Sequence, residues 1–284
     1  MANQQIGILH PGAMGTFIAR CAQTSGNPVY WASDSRSPQT RARAEKHNLR
    51  ETKSLAELVA TCSIILSVCP PDAAEEVANQ VCAHAFKGLY LDANAIAPQR
   101  AIRIGAMMTQ CGARFVDGGI IGGTNWDARV TWLVLSGQNA DEIAALFADS
   151  PLQTRVIGDA IGKASALKMC YAAYTKGTTA LLSAILATAQ SLGVRAELET
   201  QWSNDDANFA NATRERVRRS TAKAWRFVGE MNEIAGTFRD AGLPGEFHDA
   251  AAEIYKRMAR FKDAAPIPSL DDVLDALTKP GSEK

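Results

Sequence analysis

The sequence predicts an α/β chain with an N-terminal doubly wound sheet over residues 1–160 and an all-α domain over residues 161–284. Three observations carry that expectation. Short apolar runs alternate with helical stretches from Ile6 to Val156, the order that a sheet covered by helices on both faces requires. No convincing strand follows Gly158. From Ile161 to about Leu192 a single helical pattern joins the two parts, about 45 Å long at the α-helical rise per residue.

The elements follow in order. Gln5 to Leu9 is a short apolar strand that runs through a Gly-bearing turn into a helix from Ala13 to Ser25. Pro28 to Ala32 reads as the second strand, with a helix from about Pro38 to His47 after it. Ser54-Leu55-Ala56-Glu57 is a capping box that opens another short helix. Cys62 to Val68 is apolar throughout, as a strand covered on both faces must be. Pro70-Pro71-Asp72 starts a helix with proline in its tolerated first-turn place. Leu89 to Asp92 is the next strand, and a helix starts near Pro98. Arg114 to Asp117, Thr131 to Leu135 and Thr154 to Val156 are further strands. Beyond the long helix, expected to be buried nearly all round, Gly193 is a C-cap. Asp205 to Ala241 is helical with an interruption near Gly229 or Gly236. Gly242-Leu243-Pro244-Gly245 breaks the chain before a helix from Gly245 to Lys262. A last helix, Leu270 to Leu277, precedes a polar tail, Lys279 to Lys284, expected to be frayed.

Composition excludes several function classes. Thirty Lys and Arg balance thirty Asp and Glu, which argues against a nucleic-acid or anionic-membrane surface. The six cysteines show no CxxC or Cys/His spacing, so no metal site is expected and they read as buried free thiols of a reducing compartment. No basic segment leads into an apolar run near the N-terminus, and the most apolar helix carries Lys176 with many Ser and Thr residues. A cytoplasmic location without a membrane span is therefore expected.

In open α/β sheets ligands bind beyond the carboxyl ends of the strands. The first such end is His10-Pro11-Gly12-Ala13-Met14-Gly15, which keeps two of the three glycines of the dinucleotide fingerprint, with His10 in the first place. Its helix N-terminus suits a diphosphate. At the second strand end, Asp34 suits a ribose 2′-hydroxyl, whereas Ser33, Arg36 and Ser37 suit a 2′-phosphate. The balance favours NADP and leaves NAD open. Cys69, Pro70 and Asn94 lie at the next two strand ends. Asp117-Gly118-Gly119-Ile120-Ile121-Gly122-Gly123 is a second glycine cluster whose backbone N–H groups suit a substrate carboxylate, with Asn125 and Trp126 close behind; a flexible turn is the alternative. On the long helix Ser165, Lys168, Tyr171, Thr175, Thr179 and Ser183 form a polar stripe. A lysine there suits proton transfer, or equally a structural ion pair.

Together these segments resemble the β-hydroxyacid dehydrogenase superfamily, which includes 3-hydroxyisobutyrate and 6-phosphogluconate dehydrogenases. His10 to Gly15 matches its G-x-G-x-M-G turn but for the first glycine, and Asp117 to Gly123 matches its substrate segment without the usual serine. Gly158, Gly162 and Lys168 meet its catalytic motif loosely, with Ala172 where that motif has asparagine. Asp92-Ala93-Asn94 with Pro98 resembles the strand end near the nicotinamide. Trp225 to Met231, Ala241 to Pro244 and Phe247 to Ala251 resemble the 6-phosphogluconate-dehydrogenase-like C-terminal domain of poorly characterised oxidoreductases. The resemblance implies a Rossmann-type first domain, NADP-dependent hydride transfer to or from a small hydroxy or keto acid, and Lys168 as general acid/base. Tyr171 and Asn94 stand beside it as catalytic candidates, and Gly118, Gly119, Ile120, Gly122, Gly123, Trp225 and His248 as substrate contacts. It also implies a homodimer whose partner subunit completes the site. An imine reductase of the same architecture, or a non-catalytic dinucleotide-binding regulator, is the alternative.

Overall fold

A computed structural model describes residues 4–279. Of the tail expected to be frayed, Lys279 is held, its N–H donating to the Asp275 carbonyl at 2.9 Å, and residues 280–284 lie outside the described residues. The chain divides into two compact units between Met169 and Cys170. The first unit alternates β1 (Ile6–Ile8), α1 (Ala13–Gln23), β2 (Val29–Ala32), α2 (Pro38–Lys46), β3 (Arg50–Thr52), α3 (Leu55–Thr61), β4 (Ile64–Ser67) and α4 (Ala74–Ala83). It continues through β5 (Leu89–Asp92), α5 (Pro98–Gln110), β6 (Arg114–Ile121), β7 (Trp132–Ser136), α6 (Ala140–Ala145) and β8 (Gln153–Val156). The strands form one sheet in the order β3-β2-β1-β4-β5-β6-β7-β8. All neighbours are parallel except β6 and β7, which run antiparallel.

The doubly wound fold follows from strands that are apolar on both faces. Along β4, Ile64 and Leu66 join one core layer while Ile65 joins the other; in β5, Leu89 and Leu91 oppose Tyr90 in the same way. Alternate side chains of one strand thus feed two layers, and helices cover both. Local caps set several helix starts. Ser37 Oγ accepts the Thr40 N–H at 3.3 Å, and Ser54 Oγ accepts the Glu57 N–H at 3.2 Å. Glu57 departs from the expected capping box by reaching past the cap, where its Oε2 accepts the N–H of Lys53, the residue before the N-cap, at 2.7 Å.

The strand β3 was not expected from sequence. Its residues Arg50-Glu51-Thr52 are polar, and only Thr52 is buried. They pair with Tyr30, Trp31 and Ala32 at the sheet edge, where charged side chains face solvent and no apolar run is needed. The cysteine expectation also needs correction. Cys82 and Cys111 are disulfide-bonded, and of the free cysteines Cys170 is exposed and Cys69 half-buried. The pairing arises because the ends of α4 and α5 lie side by side, which brings two Cα atoms 29 positions apart in sequence to 5.7 Å.

The second unit is helical. The expected single helix is α7 (Lys163–Ala172), a π-helical segment (Ala173–Gly177) and α8 (Thr178–Ser191); its first turns belong to the first unit. It is not buried all round, since Leu167, Tyr171, Tyr174 and Leu181 are exposed. The π segment leaves carbonyls without regular helical partners, and side chains take them up. Arg216 donates to the Thr175 carbonyl and Tyr255 Oη donates to that of Lys176 at 2.8 Å. Then follow α9 (Arg195–Asp205), α10 (Phe209–Ser220), α11 (Ala224–Asp240), α12 (Glu246–Met258) and α13 (Leu270–Thr278). The expected interruption lies at Thr221–Lys223, a 3₁₀ turn, and not at Gly229 or Gly236, which are interior to α11. At Gly236 a Cβ would meet nothing within 4 Å, so this glycine marks no break or close approach. Among the described residues no helix is long and apolar enough to cross a membrane.

Candidate functional site

The turn between β1 and α1 has the form a diphosphate needs. Gly12 is the N-cap of α1 and no side chain caps it, so the first-turn N–H groups point outward without helical partners. A Cβ on Gly15 would stand 2.0 Å from the His10 carbonyl oxygen, so this glycine is required for the helix to pack against the turn. A Cβ on Gly12 would meet nothing within 4 Å; the protein itself leaves the space beside it open. His10, in place of the first glycine, has a buried Nδ1 without a hydrogen-bond partner. Burial, aided by the charge of Arg36, pushes its pKa down to about 4, so the imidazole is neutral.

Beside this turn lies a cleft of about 440 Å³ whose lining includes Leu9, His10, Ala32, Asp34, Arg36 and Val77. Arg36 reaches into the same region. Its Nη2 donates to the Leu9 carbonyl at 3.2 Å and its buried Nε has no partner. Ser33 is buried with its carbonyl taken by Arg41 Nη2 at 2.6 Å, and Ser37 Oγ is engaged as the α2 cap. Asp34 is exposed. The open space at Gly12, the outward N–H groups and the unpartnered nitrogens of His10 and Arg36 fit an anionic dinucleotide laid across the ends of β1 and β2.

At the ends of β4 and β5 the polar groups are buried. Asn94 Oδ1 accepts the Cys69 N–H at 2.6 Å, and its Nδ2 donates to Ser67 Oγ at 3.1 Å. The Asn94 N–H in turn donates to Asp92 Oδ1 at 3.0 Å, while Asp92 Oδ2 is buried and unpartnered. Asn94 therefore brackets the two strand ends and fixes the course of Cys69 and Pro70. Burial pushes the Asp92 pKa up to about 7, and the carboxyl of Asp117 adds to the shift.

The second glycine cluster differs from its expected form. Gly118, Gly119, Ile120 and Ile121 are not a turn but the continuation of β6, paired with Leu135, Val134, Leu133 and Trp132 of β7. The reason is close packing. A Cβ on Gly118 would lie 2.8 Å from Leu91 Cδ1, and one on Gly119 would lie 2.9 Å from both the Ala164 carbonyl oxygen and Lys168 Cβ. Only Gly122, at φ +124°, and Gly123 belong to the exposed loop. Trp126 does not join them over the strand; it packs edge-on against Phe17 of α1, with ring centroids 6.0 Å apart.

Asp117 connects this strand to the long helix. Its Oδ2 accepts from Ser136 Oγ at 3.0 Å, the Gly162 N–H at 2.9 Å and the Ser165 N–H at 3.1 Å; its Oδ1 accepts from Ser165 Oγ at 2.6 Å. One turn beyond Ser165, Lys168 Nζ donates to the Ile120 carbonyl at 2.6 Å. β6 runs past the end of β5, because Asp92 pairs with Asp117 and the four residues after it extend further. Lys168 thus stands at the carboxyl edge of the sheet, where ligands bind in this architecture. The sequence placed Asp92 and Asp117 among the strand-end segments, but the buried, unpartnered oxygen of Asp92 and the capping role of Asp117 were not read from it.

The remaining candidates lie in the second unit. Tyr171 is exposed and meets Tyr174 edge-on at 6.5 Å. Trp225 is exposed under Lys262, whose Nζ lies 4.4 Å from the ring centroid. His248 is buried between Phe238 and Phe247 with its Nδ1 unpartnered, and burial lowers its pKa. Sequence reading missed the buried ion pair of Lys176 with Glu230, because the π segment sets the direction of Lys176. Among the described residues no group of His, Cys, Asp or Glu could hold a metal ion.

Comparison with known proteins places these features in context. Residues 5–147 match the family described as the NAD binding domain of 6-phosphogluconate dehydrogenase, and residues 189–258 match a domain of unknown function, DUF1932. An uncharacterized 28.5 kDa protein from Methanothermus fervidus is 30% identical over 200 residues, which span 70% of this chain and 77% of that protein. A solved conserved protein of unknown function, described as structurally similar to 3-hydroxyacid dehydrogenases, is 25% identical with a TM-score of 0.67. That alignment covers 98% of this chain and all of the other. The 3-hydroxyisobutyrate dehydrogenase of Mycobacterium tuberculosis, solved with L-serine, shares the fold at a TM-score of 0.72 and 19% identity, over 97% of this chain and 99% of that one.

Two expectations follow from the site. Gly12→Ala should cost about 1 kcal/mol of stability or less, as an unfavourable N-cap, yet weaken dinucleotide binding at least tenfold; Gly15→Ala should instead destabilise by more than about 2 kcal/mol. Urea unfolding and a fluorescence titration with NADPH separate the two effects. The raised pKa of Asp92 means that the folded state binds the extra proton between about pH 4 and 7, so this group's contribution to stability falls as pH rises through that window. Asp92→Asn should remove that component, seen as a flatter dependence of the urea midpoint on pH.

Proposed function

The chain belongs to the family of the NAD binding domain of 6-phosphogluconate dehydrogenase, and from that premise we propose that it is an NADP(H)-dependent oxidoreductase acting on a small hydroxy or keto acid. The observation that carries this reading is the placement of Lys168: a lysine at the carboxyl edge of the sheet, with its Nζ 2.6 Å from the Ile120 carbonyl oxygen. When bound, the nicotinamide supplies the hydride acceptor or donor. The protein supplies the rest. The first-turn N–H groups of α1 hold the diphosphate, and the open space at Gly12 admits it. Arg36, which lines the cleft beside the turn, would supply the guanidinium for a 2′-phosphate. Asn94 holds the ends of β4 and β5 together and so would shape the floor on which the nicotinamide rests.

Lys168 handles the hydroxyl proton. In oxidation its amine accepts the proton as the C–H bond is broken; in reduction its ammonium donates a proton to the developing alkoxide. The Ile120 carbonyl orients the amine without adding a charge to the strand end, and Asp117 fixes the turn of α7 from which the side chain projects. The N–H groups and glycines of the exposed Gly122-Gly123 segment are the backbone available for a substrate carboxylate, since Gly118 to Ile121 are committed to the sheet.

Lys168→Ala should leave NADPH binding intact and lower the turnover of any accepted keto acid at least a hundredfold. Unchanged turnover would remove Lys168 from the mechanism. Arg36→Ala should weaken NADPH about tenfold and spare NADH, and equal loss of both in a binding titration would overturn the 2′-phosphate assignment.

A further inference from the structure

A second groove lies on the other flank of the dinucleotide turn, between α1 and α2. It has a volume of about 430 Å³, and its lining includes Thr16, Arg20, Gln39, Arg43, Lys46 and His47. No acidic side chain lines it. In a chain whose charges balance, this is a local concentration of cations. Arg20, Arg43 and Lys46 form no ion pair with a carboxylate among the described residues. Arg43 Nη1 donates to the Pro11 carbonyl at 3.2 Å, and the Arg20 guanidinium lies 4.1 Å from the Trp126 ring centroid. Trp126 also packs on Phe17, so the loop after β6 forms a wall against α1. His47 senses the same field: burial and the charges of Arg20, Lys46 and Arg43 lower its pKa.

We propose that this groove is a second anion site, which takes a small phosphorylated ligand with its phosphate between Arg20, Arg43 and Lys46. Three cations without counter-charges line one groove, and a dianion there supplies the missing opposite charge. The volume exceeds what free phosphate fills and suits a small phosphorylated molecule. The site differs from the cleft at His10 and Arg36, which is lined by other residues. Arg43 joins the two by holding the carbonyl of Pro11 in the dinucleotide turn.

Titration of the full chain with inorganic phosphate at constant ionic strength, read by tryptophan fluorescence and by calorimetry, tests the site. The expected result is a saturable response that persists with saturating NADPH, weakens at least tenfold in Lys46→Glu and is unchanged in Lys256→Glu, a surface cation of the helical unit. Trp126→Phe should lose most of the fluorescence change and keep the calorimetric binding. No saturable binding, abolition by NADPH, or equal weakening in both charge reversals would overturn the proposal. The phosphate response is read without cofactor as well, so a failure of NADPH binding leaves this test intact.

Discussion

The buried carboxylate of Asp117 is the constraint on which the candidate site depends. It ends the part of β6 that pairs with β5, and it accepts hydrogen bonds from one serine of β7 and from the start of the long helix. Helix N-termini carry unpaired N–H groups and a partial positive charge, so a carboxylate there is both a cap and an electrostatic partner. Burial raises the pKa of Asp117, whereas the donors from Ser165, Ser136 and Gly162 oppose that rise. Four donors around one carboxyl favour its acceptor-only form. The helix register is then fixed relative to the strand, and Lys168 arrives over Ile120 one turn later.

Glycine plays two separate parts around this anchor. At Gly15, Gly118 and Gly119 a side chain would collide with protein atoms, so these positions serve close packing of the backbone against neighbouring backbone and side chains. At Gly12 the space is open, and a side chain is excluded by nothing in the protein. Glycines with a packing reason build the platform; at Gly12 the open space lies instead beside the uncapped first-turn N–H groups of α1. The same distinction separates Gly118 and Gly119 from Gly123, which faces solvent with room around it.

Charge is distributed with similar economy. The ends of β4 and β5 keep their polar groups inside a hydrogen-bond bracket at Asn94, and the carboxyl of Asp92, whose Oδ2 alone is left unpartnered, has its pKa raised by burial and by Asp117. The cations gather instead at the dinucleotide turn. Arg36 lies on one side and Arg20, Arg43 and Lys46 on the other, so the turn is flanked by positive charge although the chain as a whole carries none in excess.

The doubly wound first unit, its order of apolar strands, the dinucleotide turn and the helical remainder were legible in the sequence, because each rests on local periodicity or on the spacing of a few residues. The polar edge strand Arg50–Thr52 was not, since its pairing with β2 is its only reason to be extended. Nor was the disulfide of Cys82 with Cys111, which exists because two helix ends meet in space. Gly118 and Gly119 looked like a ligand-binding turn and are a packed strand, because a run of glycines has the same sequence whether a ligand or another backbone approaches it. By itself the sequence determined the fold class, the family and the glycine-bearing turn between β1 and α1. Only the tertiary structure decided that Asp117 caps the long helix and that Lys168 stands at the sheet edge, because both depend on contacts between residues more than forty positions apart, which no local pattern records.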